Sequence, residues 1–160
     1  MRVFEGGEGP PESGRFAIVA GRFNGIVVNK LVEGAASGLA KHGVGENEVD
    51  LIWVPGAFEI PLVARELAAG GGYAAVICLG AVIRGETAHF EYVSAQAAGG
   101  IERAGMDTGV PVIFGVLTTE TIEQAMDRAG GDHGNRGWDA ALAAMDMARL
   151  MERLSKEGLR

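Results

Sequence analysis

The sequence predicts an α/β fold, a three-layer α/β/α sandwich in which helices cover both faces of a four-stranded parallel sheet with flavodoxin-like strand order. Short apolar runs alternate along the chain with longer segments whose apolar residues recur every three or four positions. Strands that alternate with helices pair in parallel through right-handed crossovers. The length of 160 residues fits one domain over 1–160, in which the Gly- and Pro-containing residues 1–14 form an N-terminal arm.

Four apolar runs of strand length are predicted to form the sheet. They are RFAIVA at 15–20, VDLIWV at 49–54, YAAVICLGAVI at 73–83 and PVIFGVL at 111–117. Gly21 and Pro55 directly follow the first two runs and are typical of strand ends. The segment VFE at 3–5 predicts a short additional strand at the N-terminus.

Five segments are predicted to be helices. They span 25–43, 58–69, 90–105, 121–130 and 138–156. The first carries Val28, Leu31 and Leu39 at the spacing of one helix face. Pro61 is compatible with the second because it falls in the first turn. Thr119 or a neighbouring residue caps the fourth, and glycines close it.

Charge and composition exclude several classes of function. A net charge of −7 argues against non-specific nucleic-acid binding, which requires a basic face. No apolar stretch approaches the roughly 20 residues of a membrane helix, and the N-terminus lacks the apolar core of a signal peptide. A cytoplasmic protein is therefore expected. The single cysteine, Cys78, lies in an apolar run and is expected to be a small buried side chain.

Familiar cofactor and nucleophile motifs are missing, so no cofactor is expected. The segment GRFNG after the first strand lacks the G-x-G-x-x-G pattern, and the G-x-x-x-x-G-K-[ST] pattern is absent. No pair of histidines has metal-ligand spacing. No serine stands in a G-x-S-x-G turn, and the three lysines lie on predicted helices away from the strand ends.

Distinctive residues follow each of the four predicted strands. The four strand ends read GRFN, PGAFE, AVIRGETAH and FGVLTT. In parallel α/β sheets, ligands bind beyond the carboxyl ends of the strands. The chemistry of this protein is therefore predicted to lie at that edge of the sheet.

The segment RGETAH at 84–89 gives the strongest indication of the kind of site that lies at this edge. If a helix begins near Ala88, the backbone N–H groups of 86–89 and the Thr87 hydroxyl form a site for an anion. His89 in that setting can give and take a proton near neutral pH. The alternative is an ordinary helix start in which Thr87 is the cap, Arg84 is solvated and His89 is structural.

Five further residues near the strand ends are candidates for ligand contacts. Phe23, Phe58 and Phe114 offer aromatic faces for stacking on a planar ring. Glu59 offers an acceptor beside Phe58. The alternative for the aromatic residues is that they seal the edge of the core. Arg128 closes a predicted helix, where it either binds an anion bidentately or complements the helix C-terminus.

Five ordered segments closely resemble the 6,7-dimethyl-8-ribityllumazine synthase family. They are GRFN, VPGAFEIP, LGAVIRGETAHFEYV, FGVLTTETIEQAMDRAG and GNRGWDAAL. The resemblance runs from about residue 3 to residue 153, and its IRGxTxHF part is the most specific. It implies a transferase of the penultimate step of riboflavin biosynthesis. The implied reaction condenses 5-amino-6-(D-ribitylamino)uracil with 3,4-dihydroxy-2-butanone 4-phosphate to 6,7-dimethyl-8-ribityllumazine, phosphate and water.

The resemblance also implies roles for individual residues by motif position. His89 would be the proton donor. The ribitylaminouracil would be held by residues from several strand ends, namely Phe23, Ala57, Phe58, Glu59, Ala81, Val82, Ile83 and Phe114. The butanone phosphate would be bound by Glu86, Thr87 and Arg128. Many relatives carry a small neutral residue at the position of Glu86, which leaves an acidic side chain near the expected phosphate.

Family members assemble as pentamers with sites shared between subunits, and some pentamers build an icosahedral 60-mer. The resemblance therefore implies that Phe114 and Arg128 come from the subunit next to the one that supplies His89. The short loop GGDHGNRG resembles that of shell-forming relatives and favours the icosahedral form. Residues 3–5 are suited to adding a strand to the sheet edge of a neighbour. Riboflavin synthase is the protein partner that the resemblance suggests.

Two alternatives to an enzyme stay open on the sequence. A non-catalytic relative would bind lumazine or flavin in the same pocket, or would serve only as a shell component. The residues without the resemblance suggest a binding module for a phosphorylated metabolite on a flavodoxin-like sheet. The presence of Thr87, His89 and Arg128 favours the enzyme over the non-catalytic relative.

Overall fold

The computed structural model describes all 160 residues and contains the predicted parallel sheet. Its strands are β1 (Arg15–Gly21), β2 (Val49–Val54), β3 (Tyr73–Ile83) and β4 (Val112–Thr119). They lie in the order β2-β1-β3-β4, and every neighbouring pair is parallel. The predicted fold class and strand order are confirmed. β2 and β4 are the two edges of this sheet.

Five α-helices connect and follow the strands. They are α1 (Gly25–Lys41), α2 (Ile60–Ala69), α3 (His89–Thr108), α4 (Ile122–Asp127) and α5 (Arg136–Lys156). Single 3₁₀ turns precede β2 at Glu46–Glu48 and α2 at Ala57–Glu59. None of the five helices combines the length and the apolar composition that crossing a membrane would require.

Alternation along the strands builds one core on each face of the sheet. Ile18 and Ile77 are paired in register and are buried on the face covered by α1 and α5. Val19 and Cys78 are paired one residue further on and are buried on the face covered by α2 and α3. Cys78 is fully buried, as predicted, and burial raises the pKa of its thiol. The two cores make the central strands β1 and β3 rigid supports for the residues that follow them.

Asn135 fixes the start of α5, which begins two residues earlier than predicted. Its side-chain oxygen accepts hydrogen bonds from the N–H groups of Gly137 at 2.8 Å and Trp138 at 3.2 Å. Its side-chain amide donates to the carbonyl oxygen of Lys30 in α1 at 2.9 Å. One side chain therefore both caps α5 and joins it to α1.

The fourth helix is shorter than the predicted 121–130 because a glycine-containing hairpin follows it. α4 is capped by Thr121, whose hydroxyl accepts from the Gln124 N–H at 3.1 Å. Gly130 has a φ of 110°, in the left-handed region that ends a helix. Residues 129–131 (β5) and 134–135 (β6) then form a two-stranded antiparallel ribbon. The loop expected from the sequence is thus partly ordered by backbone pairing.

The expected short strand at 3–5 is not present in the chain. The N-terminal arm instead follows α5, where the Gly7 N–H donates to the Asp146 carboxylate at 2.8 Å. Arg153 of α5 also donates to the carbonyl oxygen of Glu5. A strand requires the backbone of another strand as its partner, and these side-chain contacts do not supply one. Addition of this segment to a neighbouring subunit stays a prediction.

Candidate active site

A cavity of about 710 Å³ lies at the carboxyl ends of β1, β2 and β3, and we call it the histidine cavity. Nine predicted site residues line it: Phe23, Ala57, Phe58, Glu59, Ala81, Val82, Ile83, Thr87 and His89. They come from three segments that are distant in sequence: residue 23, residues 57–59 and residues 81–89. The parallel strand order brings these segments together because all strand ends lie at one edge of the sheet.

Two of the predicted aromatic side chains are exposed at the histidine cavity. Phe23 is 73% exposed and Phe58 is 58% exposed. Backbone hydrogen bonds hold the Phe23 segment against the end of β2, from the Arg22 N–H to Val54 at 2.8 Å and from the Phe23 N–H to Pro55 at 3.1 Å. Exposed apolar groups at a concave surface are typical of a ligand site. The alternative of aromatic residues that only seal the core is not favoured at these two positions.

Asn24 lines the same cavity and was not among the predicted site residues. It is the one non-glycine residue with a positive φ, at 56°. Asparagine tolerates this conformation better than most residues. Its side-chain amide donates to the Ala81 carbonyl oxygen at 2.8 Å, which joins the end of β1 to the end of β3. In the sequence, the only indication that Asn24 belongs to the site was its place in the GRFN motif.

The loop 84–88 ends where α3 begins at His89, as the sequence predicts. Thr87 and His89 are both exposed, and the His89 N–H lies 3.4 Å from the Thr87 hydroxyl oxygen. None of the backbone N–H groups of residues 85–88 has a hydrogen-bond acceptor within the chain. A Cβ atom at Gly85 would meet nothing within 4 Å. Free N–H groups at the start of a 20-residue helix suit an anion beside His89.

Arg84 forms ion pairs with two acidic side chains, unlike the alternative in which it is only solvated. It donates to Glu91 in the first turn of α3 and, through Nε, to Glu120 after β4 at 2.7 Å. The hydrogen bond from Arg84 lowers the pKa of Glu91 below its ordinary value. The hydrogen bonds with Glu91 and then Glu120 raise the pKa of the Arg84 guanidinium. Arg84 does not line the histidine cavity.

Glu86 is exposed and does not line the histidine cavity, whereas its neighbours Gly85 and Thr87 do. A carboxylate directed at a bound phosphate would repel it. An anion at this loop would therefore meet the backbone N–H groups and the Thr87 hydroxyl rather than the Glu86 carboxylate. Tyr92 and Phe90 of α3 line the cavity as well and were not predicted to do so.

Phe114 and Arg128 line a second cavity of about 430 Å³, which we call the arginine cavity. It runs along the edge strand β4 beside α5. Phe114 is 47% exposed there. The Arg128 Nη1 atom donates to the Gln124 carbonyl oxygen of α4 at 3.1 Å, so Arg128 also complements the end of that helix. Within one chain, these two residues do not share a cavity with His89.

One comparison with known proteins bears on this arrangement. The family model described as 6,7-dimethyl-8-ribityllumazine synthase matches residues 13–152 of the chain. The match includes β1 to β4, every residue of both cavities and most of α5, and it leaves out the first twelve residues of the arm.

Proposed function

The chain belongs to the 6,7-dimethyl-8-ribityllumazine synthase family, the transferase of riboflavin biosynthesis, and from this we propose the reaction that it catalyses. It condenses 5-amino-6-(D-ribitylamino)uracil with 3,4-dihydroxy-2-butanone 4-phosphate. The products are 6,7-dimethyl-8-ribityllumazine, phosphate and water. The observation that carries the proposal is the meeting of His89, free backbone N–H groups and exposed aromatic rings in one cavity.

The two substrates divide the histidine cavity between them. The planar pyrimidine stacks on aromatic side chains and bonds to the backbone of Ala57–Glu59 and Ala81–Ile83. The ribityl hydroxyl groups donate to Glu59. The phosphate binds at the start of α3, through the free N–H groups of residues 85–88 and the Thr87 hydroxyl. This arrangement places the carbon skeleton of the second substrate between the pyrimidine amine and His89.

The condensation consists of steps that require proton transfer. An amine of the pyrimidine attacks the ketone, and the carbinolamine loses water. Phosphate is eliminated, and the second amine closes the ring on the remaining carbonyl with loss of a second water molecule. His89 gives and takes these protons, because histidine is suited to both roles near neutral pH. Holding two substrates in reacting geometry supplies much of the remaining acceleration.

The separation of the two cavities supports a site shared between subunits. Phe114 and Arg128 offer a further aromatic face and a cation for the phosphate, yet they lie at the open edge of the sheet. Docking the arginine cavity of one subunit onto the histidine cavity of its neighbour joins these groups. Because the two surfaces differ, the contact is head-to-tail, and such contacts form a ring when the rotation between neighbouring subunits closes. The family resemblance gives a ring of five.

The assembly is expected to be larger than a pentamer. The short segment GGDHGNRG at 130–137 favours the icosahedral 60-mer, with riboflavin synthase as a candidate partner. Multi-angle light scattering of the purified protein measures the mass directly and is expected to give sixty subunits. A single species with the mass of five subunits would contradict the icosahedral form and leave the shared site in place.

The proposed reaction is tested by mixing the purified protein with both substrates. Absorbance in the lumazine band and free phosphate are followed in parallel against the uncatalysed mixture. The expected result is one phosphate released for each lumazine formed, at a rate proportional to protein concentration. Binding of the pyrimidine without turnover above background would point to a non-catalytic relative and would overturn the proposal.

A further inference from the structure

We propose that Arg84 is a positioning residue for the reaction, acting through the loop 84–88 on the phosphate donors and on His89. This inference rests on the proposed function. Arg84 stands at the junction of three segments: the end of β3, the first turn of α3 and the end of β4. By binding all three, it sets where the loop lies relative to the sheet.

The contacts of Arg84 fix both its backbone and its side chain. Its N–H donates to the Thr119 carbonyl oxygen at 2.9 Å. Its guanidinium binds Glu91 on one side and Glu120 on the other, the latter at 2.7 Å. The same group lies 4.4 Å from the centroid of the Phe90 ring, in the geometry of a cation–π contact. Phe90 lines the histidine cavity, so this contact also supports the cavity wall.

The loop itself has little else to hold it. Residues 84–88 are exposed, and a Cβ at Gly85 would touch nothing. The N–H groups of 85–88 donate to no protein acceptor. The position of the phosphate donors therefore depends on the two anchored ends of the loop, and Arg84 connects those ends through Glu91. A displacement of about 1 Å at a reacting group can cost about 10²-fold in rate.

Arg84 is not placed to bind the phosphate itself. Both sides of its guanidinium face carboxylates, which offset its charge, and it is absent from the cavity wall. The side chain is 38% exposed, and exposed ion pairs contribute little to global stability. Its loss is therefore expected to change the local geometry of the loop more than the stability of the fold. Lysine cannot replace it, because one ammonium group lacks the planar fork that binds two carboxylates and stacks on a ring.

The test compares steady-state kinetics of Arg84→Gln, Arg84→Lys and Glu91→Gln with the natural protein. Arg84→Gln is expected to raise KM for the butanone phosphate about tenfold and to lower kcat about tenfold. The reason is that the phosphate-binding N–H groups of the loop and His89 are displaced together. KM for the pyrimidine changes by less than about twofold, because that substrate binds chiefly elsewhere in the cavity. Arg84→Lys behaves like Arg84→Gln. The matched control is Arg65→Gln, which removes exposed ion pairs with Glu66 and Asp107 outside the cavity wall and leaves the kinetics unchanged.

Glu91→Gln separates positioning from direct phosphate binding. If Arg84 positions the loop, loss of Glu91 raises KM for the butanone phosphate in the same direction as loss of Arg84. If Arg84 were a phosphate ligand, removing its carboxylate partner would free it and lower that KM. A lowered KM in Glu91→Gln, or unchanged kinetics in a folded Arg84→Gln, overturns the proposal.

Binding of inorganic phosphate, measured by calorimetry, keeps this inference separate from the proposed function. Weaker binding in both Arg84→Gln and Glu91→Gln, with melting temperatures close to that of Arg65→Gln, supports positioning even in the absence of turnover. Equal phosphate binding in all variants contradicts it. Failure of the natural protein to form lumazine would overturn only the proposed reaction.

Discussion

Replacing His89 by alanine is expected to lower kcat by about 10²–10⁴-fold, the usual contribution of a positioned acid–base group. Several steps of the proposed reaction require proton transfer, and His89 is the histidine that lines the cavity. Activity is not abolished, because the remaining cavity still holds the two substrates in reacting geometry. Steady-state rates of lumazine formation measure the loss.

Exposure of His89 allows a second readout of its role. Because the side chain is open to solvent, imidazole added to His89→Ala can enter the cavity, and partial recovery of kcat is expected. His42→Gln is the matched control. His42 lies at the end of α1, bonded to the Gly38 carbonyl oxygen at 2.8 Å, and its replacement leaves kcat unchanged. Complete loss of activity in a folded His89→Ala would contradict the claim that holding the two substrates in reacting geometry supplies much of the acceleration.

Replacing Gly137 by alanine is expected to be the most destabilising single substitution that the packing of α1 and α5 predicts. A Cβ at this position would lie 1.8 Å from the Leu31 carbonyl oxygen, a backbone atom that cannot rotate away. The two helices would have to separate, and the hydrogen bond from the Asn135 amide to the Lys30 carbonyl oxygen, which joins them, would lengthen. The expected loss in the free energy of unfolding is about 3 kcal/mol. For a chain of this size, such a loss lowers the melting temperature by about 6–12 °C.

Gly99→Ala is the matched control for this substitution. Gly99 is also helical, in α3, and a Cβ there would meet nothing within 4 Å. Alanine is a better helix former than glycine by about 1 kcal/mol, so the melting temperature is expected to stay constant or to rise. Thermal unfolding followed by circular dichroism compares the two variants. Equal melting temperatures for Gly137→Ala and the natural protein would show that α1 and α5 do not pack as described.

The sheet and the edge that carries the site were predictable from the sequence. Each strand was a continuous apolar run, and the rule that ligands bind at the carboxyl ends of parallel strands located the cavity. His89 was predictable because it follows a buried strand at a helix start. These features depend on local pattern and on one topological rule.

Other features depend on contacts between distant segments and could not be predicted. The two ion pairs of Arg84 require Glu91 and Glu120 to lie beside the same guanidinium group. The role of Asn24 depends on a positive φ that no neighbouring residue signals. The N-terminal segment 3–5 has strand-forming residues, but a strand forms only where a partner is available. Each of these is decided by the tertiary fold.

The separation of Phe114 and Arg128 from His89 was implied by the family resemblance alone. Residues at an edge strand can face either a cavity of their own chain or a neighbouring chain. Periodicity does not distinguish the two, because the side chains alternate in the same way in both cases. In one chain, Phe114 and Arg128 lie in a different cavity from His89. Whether they meet His89 depends on how the subunits assemble, and this can be tested directly.

Mixing two impaired variants tests the shared site most directly. His89→Ala lacks the proton donor, and Arg128→Gln lacks the expected cationic partner of the phosphate. Each is refolded alone and in an equal mixture, and lumazine formation is measured. If neighbouring subunits build each site, roughly a quarter of the sites in the mixture combine two intact halves, and activity exceeds that of either variant by a corresponding amount. Activity in the mixture equal to the mean of the two separate variants would contradict a site shared between subunits.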